Sequence, residues 1–518
     1  MNRSILTVAL AATTMLAGCN LAPTYVRPAG AIPATLPQGG AYPAASTDAR
    51  DVTAIGWRDF FTDPRLRQVI ETGIANNRNL RIAAGNVLQA RAQYRVQRAD
   101  RVPSTTVSGQ GIYTNNIFGA AGAASGGTAG GGTGTGGTGT GGTGTGGTGG
   151  GGTGATGGAG TGATSSNIEA YTVTAGFSQF ELDLFGRVRN LTQAAQEQYF
   201  ATEEAQRSTR ISLIAEIATA WLTMASDQEQ LRLSQETLKT FQQTLDLTRA
   251  QFRVGVGSEL EVRQAETNYQ AARNDIATLR TTITRDQNAL NLLVGTTVPL
   301  EQLPTDLGTN SYTLDSLPSD LSSQALLRRP DVLQAEHQLI AQNANIGAAR
   351  AAFFPTISLT ATLGTISTAL SGLFGGGTFT YNATPGVALP LFDGGRLKGN
   401  LDYARASQQV AVATYEQAIQ TAFREVADAL AQRGTIGEQL SAQTARAEAA
   451  TGAARLSDAR FRAGVDSFLT TLDAQRTAYA ARQNLVTTRL TRENNLIELY
   501  RSLGGGLNDQ TPVTSPAG

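Results

Sequence analysis

The stretch "FRVGVGSELE", from Phe252 to Glu261, returns 209 residues later (461 minus 252) as "FRAGVDSFLT", from Phe461 to Thr470. The same separation relates other identical residues on both sides of the two stretches. They are the pairs Arg187 and Arg396, Glu216 and Glu425, Ala218 and Ala427, Ala220 and Ala429, Arg273 and Arg482, Leu290 and Leu499, and Gly295 and Gly504. Because the register holds without a gap from Arg187 to Gly295, we infer a tandem duplication.

Upstream of Arg187 the separation between the two copies becomes 252 residues (355 minus 103), as in the pair Pro103 and Pro355. The first copy therefore contains 43 additional residues (252 minus 209) between Pro103 and Arg187. That interval includes the run "GGTGTGGTGTGGTGTGGTGGGG", whose glycines lose too much conformational entropy to pack. We predict a disordered, solvent-exposed loop at residues 119–163.

Long helices precede both glycine stretches. The chain has no proline from Arg187 to Phe252, and apolar residues there follow a strict seven-residue period typical of coiled coils. They are Ile217, Met224, Leu231, Leu238, Leu245 and Phe252. A helix of this length extends for about 100 Å. Apolar residues spaced three and four apart continue after Gly255 and Gly257, so we predict that each glycine stretch is the tip of a helical hairpin.

Short segments of alternating polarity lie between the helices. In the second copy they are Ile357 to Leu363 and Phe379 to Ala383, followed in a shifted phase by Val387 to Leu391. In the first copy they are Tyr171 to Phe177, followed by Phe180 to Leu184, with "TTVSGQGIYT" as a weaker partner. Alternating strands of about ten residues are typical of transmembrane β-structure. A soluble hairpin in each repeat is the alternative.

The lengths of the apolar segments restrict how the chain could cross a membrane. After the N-terminal segment, no stretch approaches the 18 or more apolar residues that a spanning helix needs. A membrane-spanning form must then be a closed β-barrel. Four strands are too few to close one, since small barrels need about eight, and unpaired edges are not tolerated in lipid. The membrane interpretation therefore requires oligomerisation.

The N-terminus is typical of an exported lipoprotein. Arg3 precedes an apolar stretch from Ile5 to Met15, and "LAGC" ends at Cys19. We interpret residues 1–18 as a signal peptide and Cys19 as an acylated, palmitate-bearing first residue. An ordinary signal peptide with an incidental cysteine is the alternative. Cys19 is the only cysteine, so no disulfide is possible. Asn20 stands where an Asp would signal inner-membrane retention, which favours the outer membrane.

The patterns divide the chain into consecutive segments. After the signal peptide we predict a lipidated extended segment at 19–63, repeat one at 64–295, a proline-containing linker at 296–325, repeat two at 326–505 and a flexible tail at 506–518.

Charge and residue types argue against several functions. Basic and acidic residues balance at 41 each, with a pI near 6.7, so no basic field suggests nucleic acid. His337 is the single histidine, and no paired-acid motif accompanies it. We therefore predict no enzyme activity, no cofactor and no metal site, and interpret His337 as a packing or helix-surface residue. The glycine run lacks the lysine of a phosphate-binding loop.

Several motifs together identify a family resemblance. In chain order they are "LAGC", "WRDFFTDPRL" from Trp57, "ELDLFGRVR" from Glu181, "LLRRPDVLQAE" from Leu326, "ARAAFFPTISLT" from Ala349, "LFDGGRLKG" from Leu391, "AGVDSFLTTLDAQR" from Ala463 and "LGGG" from Leu503. Over residues 16–506 the chain resembles the outer-membrane efflux lipoproteins of the TolC superfamily, in particular the NodT-type, OprM-like branch. The glycine–threonine insertion departs from the family pattern and affects the shape of one external loop.

The resemblance implies a mainly α-helical protomer with a membrane β-barrel. It implies a homotrimer with a twelve-stranded barrel in the outer membrane and a twelve-helix tunnel across the periplasm. The function implied is an exit duct that passes small molecules from an inner-membrane pump, through a periplasmic adaptor, to the exterior. Two alternatives are a polypeptide exit duct of the type I secretion kind and a lipid-anchored coiled-coil structural protein that spans no membrane.

Two candidate sites lie at the hairpin tips. Leu469 and Asp473, spaced i and i+4, share one helix face, and the resemblance places them in a gate at the periplasmic mouth. A solvated helix face is the alternative, and Arg476 is a possible partner that neutralises Asp473. The candidate adaptor contacts are Gly255, Val256, Ser258, Gly464, Val465 and Ser467. Two tips in each of three chains give six pseudo-equivalent sites, which match a six-membered adaptor ring.

Overall fold

The computed structural model describes residues 20–28, 32–33, 35–43, 55–114, 168–308, 311–314 and 323–505. Cys19, the signal peptide, the glycine–threonine loop at 119–163 and the tail at 506–518 lie outside the described residues. The chain divides into two compact units. One contains the strands, and the other contains the tips of the helical hairpins and their cores.

The strands form one antiparallel sheet in the order β1-β2-β3-β4. Their bounds are β1 Thr106–Thr114, β2 Ile168–Leu182, β3 Thr356–Ser367 and β4 Phe379–Ala388. Each repeat contributes two neighbouring strands, and the repeats meet where β2 pairs with β3. The predicted strand pairs are confirmed. The strands end earlier than the alternating pattern, at Leu182 and Ala388, because Pro390 and the Gly186 turn follow them.

The phase shift of the first-copy pattern has a structural cause. The pairing of β2 with β3 changes register between Phe177 and Phe180, at a β-bulge. Gln179, inside the bulge, has a φ of 53°. An extra residue in one strand moves the following side chains to the opposite face, which explains why the alternation restarts at Phe180.

The α-helices follow the duplicated pattern. Their bounds are α1 Trp57–Phe60, α2 Pro64–Asn76, α3 Arg78–Ala99, α4 Arg187–Arg253, α5 Glu259–Val294, α6 Pro330–Ala351, α7 Arg396–Arg462 and α8 Phe468–Ser502. Helices α4 and α7 each have 67 residues, so the predicted long helices are confirmed. The heptad pattern of α4 is buried at Ile217, Met224 and Leu245, whereas Phe252 is exposed at the tip.

An aromatic core joins the first repeat to α1 and to the last helix, α8. Phe60 stacks on Tyr500 with ring centroids 4.3 Å apart, and Trp221 meets Tyr312 edge-on at 5.3 Å. The indole of Trp221 also donates a hydrogen bond to the carbonyl of Gln302 at 3.0 Å. Tyr312 and Gln302 belong to the segment predicted as a linker, so that segment packs into the core. Burial of each large side chain contributes about 1.5–3 kcal/mol.

A second core includes the N-terminal segment. Leu36 is buried against helices α6, α7 and α8, and Tyr25 and Tyr42 pack beside it. Arg27 binds Glu336 through two hydrogen bonds of 2.8 and 2.6 Å. The segment is extended over much of its described length, but Trp57–Phe60 within the predicted range 19–63 form the short helix α1. Within the described part of the chain, no helix combines the length and hydropathy needed to cross a membrane.

Candidate functional site

The first tip, residues 254–258, joins α4 to α5 through a left-handed glycine. Gly255 has a φ of 78°, and its N–H donates to the carbonyl of Phe252 at 3.0 Å. The N–H groups of Val256 and Gly257 both donate to the carbonyl of Gln251, at 3.0 and 3.2 Å. These bonds satisfy carbonyls that the end of a helix leaves unpaired. Glycine is needed because side-chain-bearing residues rarely adopt this φ.

The second tip, residues 463–467, repeats this geometry between α7 and α8. Gly464 has a φ of 75° and donates to the carbonyl of Phe461 at 2.9 Å. Val465 donates to the carbonyl of Arg460, also at 2.9 Å. Both tip glycines therefore have left-handed backbone conformations. A Cβ built on either glycine meets no atom within 4 Å, so the constraint comes from the backbone alone.

Serine caps start the return helices. The hydroxyl of Ser258 accepts from the N–H of Glu261 at 3.3 Å, and the Glu261 carboxylate accepts from the N–H of Ser258 at 2.9 Å. This arrangement is a capping box. Ser467 accepts from the N–H of Thr470 at 3.3 Å. These caps fix where α5 and α8 begin.

The two tips differ in charge. Asp466, at the repeat position of Gly257, accepts two hydrogen bonds from Arg460, at 2.8 and 2.9 Å. The bonds with Arg460 lower the pKa of the exposed Asp466 carboxyl. Sequence reasoning did not single out this pair, although "GVDS" against "GVGS" was a visible signal. The second tip is therefore braced by an ion pair that the first tip lacks.

Both tips expose apolar side chains. Val256 is 76% exposed and Val465 is 62% exposed. They follow the two left-handed glycines directly, at repeat-equivalent positions. The two tips therefore present the same small apolar side chain to solvent at repeat-equivalent positions.

The candidate gate residues lie on the outer face of α8. Leu469 is 62% exposed and Asp473 is also exposed, whereas Phe468 and Leu472 are buried in a small core with Leu245. The predicted shared face of Leu469 and Asp473 is thus solvent-accessible in a single chain.

Asp473 and its suggested partner are not paired. In the described residues, no ion pair or hydrogen bond joins Asp473 to Arg476. The Asp473 carboxylate is therefore available to groups outside the chain.

Polar contacts join the two hairpins farther from the tips. The hydroxyl of Tyr479 lies 2.8 Å from the hydroxyl of Ser234 and donates to the carboxylate of Asp275 at 3.0 Å. Arg482 binds Glu236 at 2.9 Å. Burial, the largest cause, raises the pKa of Tyr479 to about 12. These bonds connect α8 to α4 and α5, and no sequence pattern had indicated them.

His337 packs as predicted. Its Nδ1 lies 2.7 Å from the Glu197 carboxylate, and its ring contacts Phe200 with centroids 5.4 Å apart. The hydrogen bond with Glu197 is the largest cause of a raised pKa for His337. In the described part of the chain, no three His, Cys, Asp or Glu side chains form a group that could hold a metal ion.

The first described residue is Asn20, which directly follows the predicted lipid site at Cys19. The carbonyl of Leu21 accepts a hydrogen bond of 3.1 Å from Arg350. Arg350 lies in the last turn of α6. The start of the described segment is thus held at the end of that helix.

Known proteins are similar to this chain in sequence. Residues 69–296 and 321–505 match the family model of the outer membrane efflux protein, so the chain belongs to that family. It is 42% identical to the toluene efflux pump outer membrane protein TtgC of Pseudomonas putida, over 99% of this chain and 97% of the relative. It is 38% identical to the cation efflux system protein CusC of Escherichia coli, over 95% and 97%.

A solved structure has the same fold. The open state of the MtrE outer membrane channel of Neisseria gonorrhoeae superposes with a TM-score of 0.77 at 32% identity, over 94% of this chain and 99% of that chain. The predicted family and the mainly helical fold class with its strand sheet are confirmed.

Proposed function

We propose that this outer membrane efflux protein assembles as a homotrimer into the exit duct of a tripartite efflux system. The observation that carries the proposal is the duplicated helical hairpin, whose two exposed glycine tips have the same backbone geometry. In the trimer, the four-stranded sheets lie in the outer membrane and the hairpins extend into the periplasm. The duct catalyses no reaction, and its energy comes from an inner-membrane pump.

The tips are the docking sites of a periplasmic adaptor. Gly255 and Gly464 allow the chain to turn within a few residues, while Val256 and Val465 present apolar groups beside them. Ser258 and Ser467 hold the start of the return helices. Three chains would present six such tips, which suits an adaptor ring with six hairpins.

Leu469 and Asp473 form the gate. Three copies of each, brought together around the threefold axis, place a ring of carboxylates one helical turn from a ring of leucines. The support is their exposure on the same face of α8 and the unpaired state of Asp473. Such a ring attracts cations and narrows the mouth.

The lipid anchor lies at Cys19. The described segment that follows is fastened along α6, where Arg27 binds Glu336 and Asn343 donates to the carbonyl of Pro23 at 2.7 Å. These contacts hold the residues that directly follow the proposed acyl site against α6. The acyl group and the membrane-embedded sheet of the proposed channel together attach the protein stably to the membrane.

The substrates are small molecules, chosen by the pump. Relatives at 42% and 38% identity are named for toluene and for cations, so related ducts serve pumps with chemically different substrates. A polypeptide duct and a structural lipoprotein remain the competing functions.

Planar-bilayer recording of the purified oligomer tests the proposal. We expect discrete single-channel conductance, and an increase in toluene or metal-cation tolerance when the chain replaces the missing exit component of a pump for that substrate. A folded oligomer that never conducts would favour the structural function. Export of an unfolded polypeptide without small-molecule export would favour the secretion duct.

A further inference from the structure

Basic residues stand at both edges of the sheet. Strands β1 and β4 are the edges of the order β1-β2-β3-β4. The antiparallel pairing brings the start of β1 and the end of β4 to one end of the sheet. Four exposed basic residues, here called the edge cations, lie next to that end. They are Arg98 and Arg101, which precede β1, and Arg396 and Lys398, which follow β4.

The arginine that follows β4 lacks the partner of its repeat equivalent. Arg187, at the start of α4, binds the Glu181 carboxylate at 2.7 Å. The equivalent of Arg187 is Arg396, but Pro390 stands at the position equivalent to Glu181. Among the described residues, the Arg396 guanidinium has no hydrogen-bonded or ion-paired acceptor. Arg396 is therefore available to an anion outside the chain.

The arginine that precedes β1 also lacks the partner of its equivalent. Arg98 corresponds to Arg350, 252 residues later (350 minus 98), which donates to the carbonyl of Leu21 at 3.1 Å. In the part of the chain that the structure describes, Arg98 has no hydrogen-bonded or ion-paired acceptor. Leu21 comes two residues after the proposed acyl site at Cys19. The end of the sheet that carries the edge cations is therefore the end at which the proposed acyl chain enters the membrane.

The acidic groups beside the two edges are fewer and already accept hydrogen bonds. Asp100 accepts from the side-chain amide of Gln97 at 2.8 Å. Asp393 accepts from the N–H groups of Gly395 and Leu397, at 3.0 and 2.7 Å. Four cations and two carboxylates give these two segments a net charge of +2. Where β1 of one copy meets β4 of the next, like charges therefore repel unless an anion lies between them.

Apolar side chains beside the edge cations indicate an amphipathic anion. Leu391 and Phe392 are 90% and 93% exposed, a few residues before α7. Val102, directly after Arg101, is exposed as well. A free phosphate ion gains nothing from such groups. A phospholipid packs its acyl chains against apolar side chains, and its phosphate binds the neighbouring cations.

We propose that the edge cations beside β1 of one copy and those beside β4 of the next together bind the headgroup of an anionic phospholipid, an inference that rests on the proposed homotrimer. The lipid neutralises the two basic edges and stabilises the contact between the copies. Because these charges are exposed, salt screens their attraction to the headgroup, so lipid binding weakens as ionic strength rises.

Native mass spectrometry of the purified oligomer, with added phosphatidylglycerol or phosphatidylcholine, tests the lipid site. Phosphatidylglycerol should bind about tenfold more tightly than phosphatidylcholine and should raise the temperature at which the oligomer dissociates. Inorganic phosphate at the same concentration should not raise that temperature. Equal binding of the two lipids, or equal stabilisation by inorganic phosphate, would overturn the proposal.

Variants identify the cations. A basic residue near an anionic lipid surface strengthens binding about fivefold. Arg98→Gln and Arg396→Gln should therefore each weaken phosphatidylglycerol binding about fivefold, and the double variant about twenty-five-fold. The matched control Arg253→Gln, an exposed arginine at the C-terminal end of α4, should leave lipid binding unchanged. Unchanged lipid binding in the double variant would refute the proposal.

A carboxylate of the neighbouring copy is the competing partner of the edge cations. Asp100→Asn removes one such carboxylate, so it should strengthen phosphatidylglycerol binding and leave the oligomer intact. An oligomer that dissociates more readily in Asp100→Asn and does not respond to phosphatidylglycerol would assign the edge cations to ion pairs between copies. A folded chain that stays monomeric with either lipid would contradict the homotrimer itself, whereas an oligomer that binds no anionic lipid would contradict the lipid site alone.

Discussion

Tyr479→Phe is expected to weaken the connection between the two hairpins without disturbing their packing. The ring stays edge-on to Phe241, at 6.4 Å, and only the hydroxyl is removed. Ser234 loses its contact with the Tyr479 hydroxyl but keeps its hydrogen bond to the carbonyl of Gln230 at 2.8 Å. Removing the Tyr479 hydroxyl therefore costs little at Ser234. Asp275 loses its donor at 3.0 Å.

The magnitude follows from these partners. A hydrogen bond to a charged group contributes about 1.5–3 kcal/mol to stability. The contact is half-buried, so the lower part of that range applies, and the local opening free energy of α8 should fall by about 1.5–2 kcal/mol. This is a ten- to thirtyfold increase in opening, at about 1.4 kcal/mol for each factor of ten.

Native-state hydrogen exchange of residues 472–486 measures this change. Tyr403→Phe is the matched control, because Tyr403 is 76% exposed and should change opening by less than about 0.5 kcal/mol. A double-mutant cycle with Asp275→Asn should give a coupling energy of at least about 1 kcal/mol. Additive effects of the two substitutions would show that the hydroxyl and carboxylate do not stabilise the contact, and the reasoning would fail.

The remaining predictions concern the proposed sites. Gly464→Val forces a β-branched residue to a φ of 75°, at a cost of about 1–3 kcal/mol. Crosslinking to the adaptor should therefore fall several-fold. The control Gly437→Val, in open space on α7, should not reduce crosslinking. Asp473→Ala should raise single-channel conductance while adaptor crosslinking persists, and unchanged conductance would remove Asp473 from the gate. Cys19→Ser should abolish acylation in mass spectra of the mature N-terminus but leave the oligomer assembled; an unmodified wild-type peptide containing Cys19 would contradict the anchor. Deleting residues 120–163 lowers the loop-closure cost by only about 1.5 kcal/mol, so assembly and transport should stay within a few-fold of the wild type, and loss of the folded oligomer would show that the segment packs.

Backbone features were the most predictable part of the fold. The long helices, the four strands and the positive φ of Gly255 and Gly464 each follow from a local pattern, because side-chain periodicity and glycine geometry act within a few residues. The bulge at Gln179 was visible as a phase shift, but its conformation was not. The alternation of polar and apolar residues indicates where the side chains of a strand change face. The backbone dihedral angles at that point depend on pairing with the neighbouring strand.

Contacts between distant side chains were not predictable. Tyr479 meets Asp275 across 204 residues, and Arg27 meets Glu336 across 309. Neither pair leaves a periodic signal, because each depends on how separate elements pack. Asp466 and Arg460 are only six residues apart, yet they meet because the glycine turn folds the chain back between them.

The duplication shows which features a helical hairpin of this kind keeps while its side chains diverge. Arg329 in the second repeat donates to the carbonyl of Ser502, and its equivalent Asn77 in the first repeat donates to the equivalent carbonyl of Leu293. The acceptor is a backbone group at the end of a helix, which needs a donor whatever side chain supplies it. The long guanidinium of Arg329 also reaches Glu425 at 2.8 Å, whereas an amide has no such reach. The backbone therefore requires a hydrogen-bond donor at this position in both repeats. It does not specify which side chain supplies the donor, so one repeat can carry a charge that the other lacks.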